Sequence, residues 1–262
     1  MAHGELREIA YICVQLNKDM MNDRPLILIT NDDGVNAEGI TILVKELLTF
    51  AEKIVVVAPK VEMSANSHAL TIKNGLTVEK CEDIYKGVDT YALAGTPSDC
   101  VVFALNQLKL DIDIVVSGIN RGYNVGDDIV YSGTVAAALE GLMKNKKAIA
   151  FSCKYDSFEG SKYISDVFKY LEENDMLKEN VVWNVNIPAI SRGIKITHQA
   201  KSTYQSKYEI REDGCYYSLC DKTKELLDEP NGDIQTIKKG YISISPLTFN
   251  MTSQNIYNKY HK

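Results

Sequence analysis

The stretch Leu26 to Gly34, Leu-Ile-Leu-Ile-Thr-Asn-Asp-Asp-Gly, constrains the fold more than any other part of this chain. Four consecutive apolar residues, with no polar alternation, read as a strand buried on both faces, as in a parallel sheet. Such a strand ends in polar residues at its carboxyl end, where open α/β sheets hold their ligands. Asp32 and Asp33 there repel each other unless a positive charge sits between them, and a divalent cation is the simplest candidate. An Asx turn leading into a helix N-cap accounts for the same residues, because Asn, Asp and Gly all suit turns. A geometric condition separates the readings. Neighbouring residues on a strand point to opposite faces. The two carboxylates therefore share one ion only if the strand has ended by Asn31.

The pattern continues as an α/β fold. Ile40, Leu43, Val44, Leu47 and Leu48 recur at helical spacing and predict a helix over Ala37 to Phe50. Lys53 to Ala58 is a second buried strand, closing a right-handed βαβ unit. Pro59 stops it, and a polar loop with Ser64 and His68 follows. Leu70 to Ala94 reads as short strands, a β insertion or sheet edge. Gly95-Thr96-Pro97-Ser98 opens a helix, with Thr96 or Ser98 as the cap. Asp113 to Gly118 is another buried strand. It runs into a loop with three glycines and two asparagines, among them Asn120 and Asn124. Tyr131-Ser132-Gly133-Thr134 then begins a helix through Met143. A Gly-rich loop between a strand and a Ser/Thr helix start suits an anion, and Ser132, Gly133 and Thr134 are the candidate phosphate contacts. Neither a Walker motif nor a G-x-G-x-x-G fingerprint is present. Ala148 to Ser152 and Val181 to Asn186 are further strands, with a helix over Gly160 to Glu173. From Lys195 onward, Tyr204, Tyr208, Tyr216 and Tyr217 lie among short alternating segments. These predict hairpins and an arm, over 195–262, that joins subunits. Residues 1–24 read as an N-terminal extension with a short amphipathic helix, and residues 25–262 as one α/β domain.

Composition narrows the function classes. The chain has 262 residues and a net charge of -6, which argues against a general nucleic-acid or anionic-membrane binder. No apolar run is long enough for a membrane span, and Ile9 to Leu16 lacks the character of a secretion signal. The six cysteines form no C-x-x-C pair. They read as mostly buried reduced thiols of a cytoplasmic protein, with Cys215–Cys220 the one plausible bridge.

Several stretches together resemble the SurE family, the survival-protein nucleotidases. They are Asn31-Asp32-Asp33-Gly34, Ala58-Pro59 with Ser64, Gly95 through Cys100, Ser117 through Gly122, Tyr131 through Val135 with Glu140-Gly141, and the closing Gly240 through Pro246. The resemblance implies a Rossmann-like α/β fold with a C-terminal arm exchanged in a homodimer or homotetramer. It implies a metal-dependent phosphatase acting on nucleoside monophosphates as 5′- and 3′-nucleotidase, with exopolyphosphatase activity in some relatives. Carried over by motif, one divalent ion per subunit, Mg2+ or Mn2+, sits on Asp32, Asp33, Ser64 and Asn120, with Asn124 and Ser132 near the phosphate. The chain departs from the pattern at Met63, where many relatives carry Arg, and in its leader. Oxygen donors of this kind suit Mg2+ or Mn2+. With Asp32 and Asp33 both committed to metal, direct attack by water is expected rather than an aspartyl-phosphate intermediate. His68 is a candidate general acid, or a packing residue. Two other classes fit parts of the pattern. A haloacid-dehalogenase-type phosphatase needs Asp-x-Asp, and a non-catalytic nucleotide sensor needs the anion cradle without the metal pair.

Overall fold

The computed structural model describes residues 24–82, 84–202, 206–220 and 229–261. The expected leader helix, Tyr204 and the charged run 221–228 lie outside the described residues. Strand β1 (Leu26–Thr30) lies inside the sheet, and its alternate residues feed two cores. Ile27 and Ile29 face one side, and Leu28 faces the other. That division is what an uninterrupted apolar strand requires. Strand β2 (Lys53–Pro59) pairs with β1 in parallel, and helix α1 (Glu38–Leu47) crosses between them. Helix α1 packs Ile40, Leu43 and Leu47 on the Ile27 side, as its spacing dictates.

Strand β3 (Val78–Cys81) is antiparallel to β4 (Asp89–Leu93), and β4 pairs in parallel with β2, so the expected insertion forms one sheet edge. Helix α2 (Pro97–Asn106) starts at a capping box. The Asp99 amide donates to Thr96 Oγ1 at 3.1 Å, and the Asp99 carboxylate accepts from the Thr96 amide at 2.9 Å. Thr96 is thus the cap, and Ser98 lies buried one step inside the helix.

Strand β5 (Ile114–Arg121) lies on the other side of β1. It runs three residues past the expected end at Gly118. Its register against β6 (Lys147–Cys153) shifts between Ser117 and Asn120, as at a β-bulge. Gly118 permits this. It sits at φ +130°, and a Cβ there would lie 2.4 Å from the Phe151 carbonyl oxygen. Helix α3 (Gly133–Met143) returns over the Leu28 side beside α2, and α4 (Ile164–Glu173) lies with α1. A 3-10 turn at Glu159–Tyr163 replaces the first part of the helix expected from Gly160.

Strand β7 (Val182–Ile187) ends the parallel set. Strands β8 (Ile194–Ile196) and β11 (Ile242–Leu247) extend the sheet, with β11 antiparallel to β7. The order is β3-β4-β2-β1-β5-β6-β7-β11-β8. Strands β9 (Ser206–Ile210) and β10 (Tyr216–Cys220) form a separate antiparallel hairpin, where the arm was expected. Helices α5 (Asp233–Lys238) and α6 (Gln254–Tyr260) complete the described chain. Because β2 and β5 flank β1 on opposite sides, a crevice opens above the carboxyl ends of β1 and β5.

The approach of α1 to β5 depends on Gly39, where a Cβ would lie 2.3 Å from the Ile119 carbonyl oxygen. Gly39→Ala is expected to lower stability by about 2 kcal/mol or more in urea melts, by overpacking. Gly75→Ala, with no atom within 4 Å of its new methyl, is expected to change stability by less than about 0.5 kcal/mol.

Candidate active site

Strand β1 stops at Thr30, one residue before Asn31. The Asn31 side chain then clamps the turn. Its Nδ2 donates to the Gly34 carbonyl at 3.0 Å, and its Oδ1 accepts from the Gly34 amide at 3.1 Å. Gly34 takes φ +103°, which its missing Cβ allows. The Val35 amide donates to Pro59 O at 2.8 Å, tying the turn to the end of β2. Freed from strand alternation, Asp32 and Asp33 line the same cavity of about 580 Å³.

Ser64 and Asn120 line it too. Ser64 arrives on the loop after β2, which the Met63 amide fastens to Asp32 O at 2.7 Å. Its hydroxyl donates to Glu62 Oε1 at 2.8 Å. Asn120 arrives on the bulged end of β5. Its Nδ2 donates to Gly122 O at 2.8 Å, so its Oδ1 remains as the donor atom for a cation. Asn124 and Ser132 share the cavity wall. The Asn124 amide donates to Asn186 Oδ1 at 2.8 Å, and its carbonyl accepts from Asn184 and Asn186 at 2.9 and 3.0 Å. Its own Nδ2 donates to Ser152 Oγ at 2.9 Å. Ser132 caps α3 by accepting from the Val135 amide at 3.1 Å, which leaves its hydroxyl proton for an incoming oxygen.

Gly133 and Thr134 stand behind Asp32 rather than on the wall. Thr134 is fully buried, and its hydroxyl donates a short hydrogen bond to Asp32 Oδ1. Its backbone amide also favours the charged Asp32. A Cβ on Gly133 would lie 2.9 Å from Asp32 Cβ, so the missing side chain lets α3 approach. The start of α3 therefore acts first on the carboxylate. His68 does not line the cavity either. Its Nε2 lies 2.8 Å from Glu140 Oε2 on α3, and that partner holds the Glu140 carboxyl below its usual range. This contact gives His68 a fastening role and no geometric support as a general acid.

The electrostatics are one-sided. Burial, with a smaller push from Asp33, raises Asp32 to about 6 against the pull of Thr134. Burial and then Glu62 raise Asp33, while Arg121 opposes. Asp32, Asp33, Glu38, Glu62 and Asp128 line the cavity with one guanidinium, that of Arg121. Arg121 pairs with Glu38 at 3.2 Å and lies 5.1 Å from the Phe158 ring centroid. An excess of carboxylates facing one space favours a cation. Two carboxylates, a hydroxyl and an amide oxygen form an all-oxygen donor set suited to a hard divalent ion. Among the described residues no group of three or more His, Cys, Asp or Glu forms a metal cage. Only two of the four candidate donors, Asp32 and Asp33, are of those types.

Sequence reasoning did not single out Glu62, Arg121 or the aromatic rim of Tyr123, Tyr131, Tyr155 and Phe158. The available signal was position. Tyr123 and Tyr155 each lie two residues past the carboxyl end of a strand, β5 and β6.

The family model described as survival protein SurE matches residues 27–206. The chain belongs to the SurE family. Among its relatives, the protein described as 5′-nucleotidase SurE from Clostridium beijerinckii is 39% identical over 241 residues, covering 86% of this chain and 94% of the relative. The 5′-nucleotidase SurE of Petrotoga mobilis is 40% identical over 241 residues, with the same coverage of 86% and 94%. The crystal structure of the SurE protein from Aquifex aeolicus superposes with a TM-score of 0.74 at 32% identity, covering 90% of this chain and 98% of that one. The SurE match begins one residue inside β1 and spans every proposed cation donor.

The raised Asp32 carboxyl makes a prediction about stability. The metal-free folded state retains this proton up to about pH 6, whereas the unfolded chain loses it near the ordinary carboxylate value of 3.8. Stability from this group is thus full below the unfolded value, falls as pH rises through that window, and stays low above it. Asp32→Asn removes the penalty. At pH 7 the metal-free variant is expected to exceed the parent by on the order of 2–3 kcal/mol in urea melts, with the gap closing towards pH 4.

Proposed function

We propose that this chain is a metal-dependent phosphatase that hydrolyses nucleoside monophosphates, with one Mg2+ or Mn2+ per subunit held by Asp32, Asp33, Ser64 and Asn120. The observation that carries this reading is the convergence of those four side chains, from the ends of three neighbouring parallel strands, on one acidic cavity beside the start of α3. Two relatives whose descriptions read 5′-nucleotidase support the substrate class. The bound ion supplies positive charge to the phosphoryl group and lowers the pKa of water. The protein does the positioning. Ser132 donates its hydroxyl to a phosphate oxygen, and Asn124, locked by three buried partners, holds the loop that walls the site. Thr134 and Gly133 keep Asp32 in place. Asp32 and Asp33 are both occupied as donors, so the attacking nucleophile is water. Phosphoryl transfer of this kind depends mainly on positioning and charge neutralisation.

The rim suits the rest of a nucleotide. Tyr123, Tyr131, Tyr155 and Phe158 offer flat apolar surface on the same cavity, and Tyr155 is 75% exposed, open to a base stacking on it. Residues 25–262 act as one unit, and the arm within 195–262 joins subunits into a homodimer or homotetramer. Exposed Tyr208, Ile210 and Tyr216 on the β9–β10 hairpin support that role. Cys81, Cys100, Cys153 and Cys215 are free thiols, which fits the cytoplasm. Among the described residues no helix is long and apolar enough to cross a membrane.

Two measurements test the proposal. Phosphate release from AMP is expected with Mn2+, to cease with EDTA, and to fall at least about 100-fold in Asp32→Asn. Tight AMP binding with neither turnover nor metal dependence would instead identify a sensor. Tyr155→Ala is expected to raise KM for AMP about tenfold, through lost base stacking, while leaving KM for glycerol phosphate within about twofold.

A further inference from the structure

We propose that Asp233 is a positioning residue for Ser132: its buried carboxylate, with Ser202 beside it, holds from behind the loop that runs from Asn124 into the start of α3. For its effect on turnover, the inference rests on the phosphatase reading above.

The two ends of this loop are fixed by different means. Asn124 is bonded to β6 and β7. From Gly126 the chain makes a 3-10 turn, Gly126–Tyr131, which delivers Ser132 as the cap of α3. The start of that turn is held by Asp233, the first residue of α5, fully buried and 107 positions further along the chain. The Gly126 amide donates to Asp233 Oδ2 at 2.9 Å. Asp233 Oδ1 accepts from the Ala200 amide at 3.1 Å and from the Ile234 amide at 2.7 Å. One carboxylate thus joins the loop, α5 and the segment before β9. Burial raises this carboxyl above its usual range, and the same three amides pull against the rise.

Neighbouring contacts reinforce the joint. The Asp127 amide donates to Ser202 Oγ at 3.1 Å, and the Ser202 amide and hydroxyl both donate to Asp127 Oδ2 at 3.1 Å. Gln199 Nε2 donates to the Gly126 carbonyl at 2.9 Å. Val125, Ala200 and Ile234 form a small buried cluster at the same place. The packing there is tight, since a Cβ on Gly126 would lie 2.8 Å from Ile234 Cδ1. Asp233 does not line the cavity, so it acts on a substrate only through Gly126 and the turn that ends at Ser132. Displacing a substrate contact by about 1 Å from a distance can cost about 100-fold in rate.

Asp233→Asn separates the joint from the rest of the fold. A carboxamide offers one oxygen, which Ala200 and Ile234 occupy, and its NH2 then faces the Gly126 N–H, donor against donor. Amide hydrogen exchange of the segment 123–132 is expected to quicken at least about tenfold. The kcat/KM for AMP with Mn2+ is expected to fall at least about tenfold. The Kd for Mn2+ is expected to stay within about twofold, because the four proposed cation donors lie outside the loop. Leu171→Ala is the control for general loss of stability. It removes core packing on α4, and is expected to lower the urea midpoint while leaving kcat/KM within about twofold. Ser202→Ala cuts the second tie. It is expected to move exchange and kcat/KM in the same direction by about threefold, and it decides the matter if Asp233→Asn does not fold. Exchange and kcat/KM both within about twofold of the unsubstituted chain would overturn the inference. Faster exchange with unchanged kcat/KM would also overturn it, by reducing Asp233 to a structural role. So would an equal loss of kcat/KM in Leu171→Ala. Absence of AMP turnover by the unsubstituted chain would instead overturn the phosphatase reading, while the exchange rates would still decide whether Asp233 holds the loop.

Discussion

The structure depends on holding two adjacent carboxylates against the same space. Asp32 is almost completely buried, and its neighbour Asp33 adds repulsion. Burial and a like charge both disfavour ionisation, so the folded chain must supply offsetting contacts. It supplies them from the opposite side of β1 in sequence. The Thr134 hydroxyl and the start of α3 reach Asp32 across 102 positions of chain. The small residue at Gly133 sets how close that helix comes. Much of the local architecture serves this approach. The Asn31 clamp turns both carboxylates the same way, and the fastening of Val35 and Met63 binds the turn to its neighbours.

A metal-free Asp32 that titrates near 6 is a destabilised group, and sites commonly retain such groups at a cost in stability. The rest of the crevice is rigid by contrast. Asn124 is bound by Asn184, Asn186 and Ser152, all fully buried on β6 and β7. These buried hydrogen bonds fix the Asn124 backbone in one geometry, although Asn184 Oδ1 itself accepts none among the described residues. The loop that carries Ser64 is fastened similarly, at Ser67 to Tyr131 and at His68 to Glu140. Both anchors lead to the α3 region, so the Ser64 loop and the start of α3 are joined.

How much of this could be read from the residues follows from the range of each interaction. The exit of β1 before Asp32 was legible because Asn31 and Gly34 are local turn chemistry. So was the helix start at Thr96, because Asp99 lies three residues on and completes a capping box. The parallel core was legible from unbroken apolar runs. What stayed hidden involves distant partners. Nothing near Thr134 indicates that its hydroxyl turns to Asp32 instead of the cavity. Asn184 and Asn186 interrupt an apolar strand and look like flaws until Asn124 is placed between them. The run of β5 to Arg121 depends on the packing of Gly118 against Phe151, which no local pattern encodes. The pairing of His68 with Glu140 separates it from the chemistry, although both lie in motif-bearing segments.

On the reading proposed above, Asp32, Asp33, Ser64 and Asn120 hold one cation. Crystals soaked in Mn2+ and measured at the manganese absorption edge test it most directly. One anomalous peak per subunit is expected, with oxygens of all four side chains at about 2.1 Å from it. A peak elsewhere on the chain, or a cavity without manganese at saturating concentration, would contradict it.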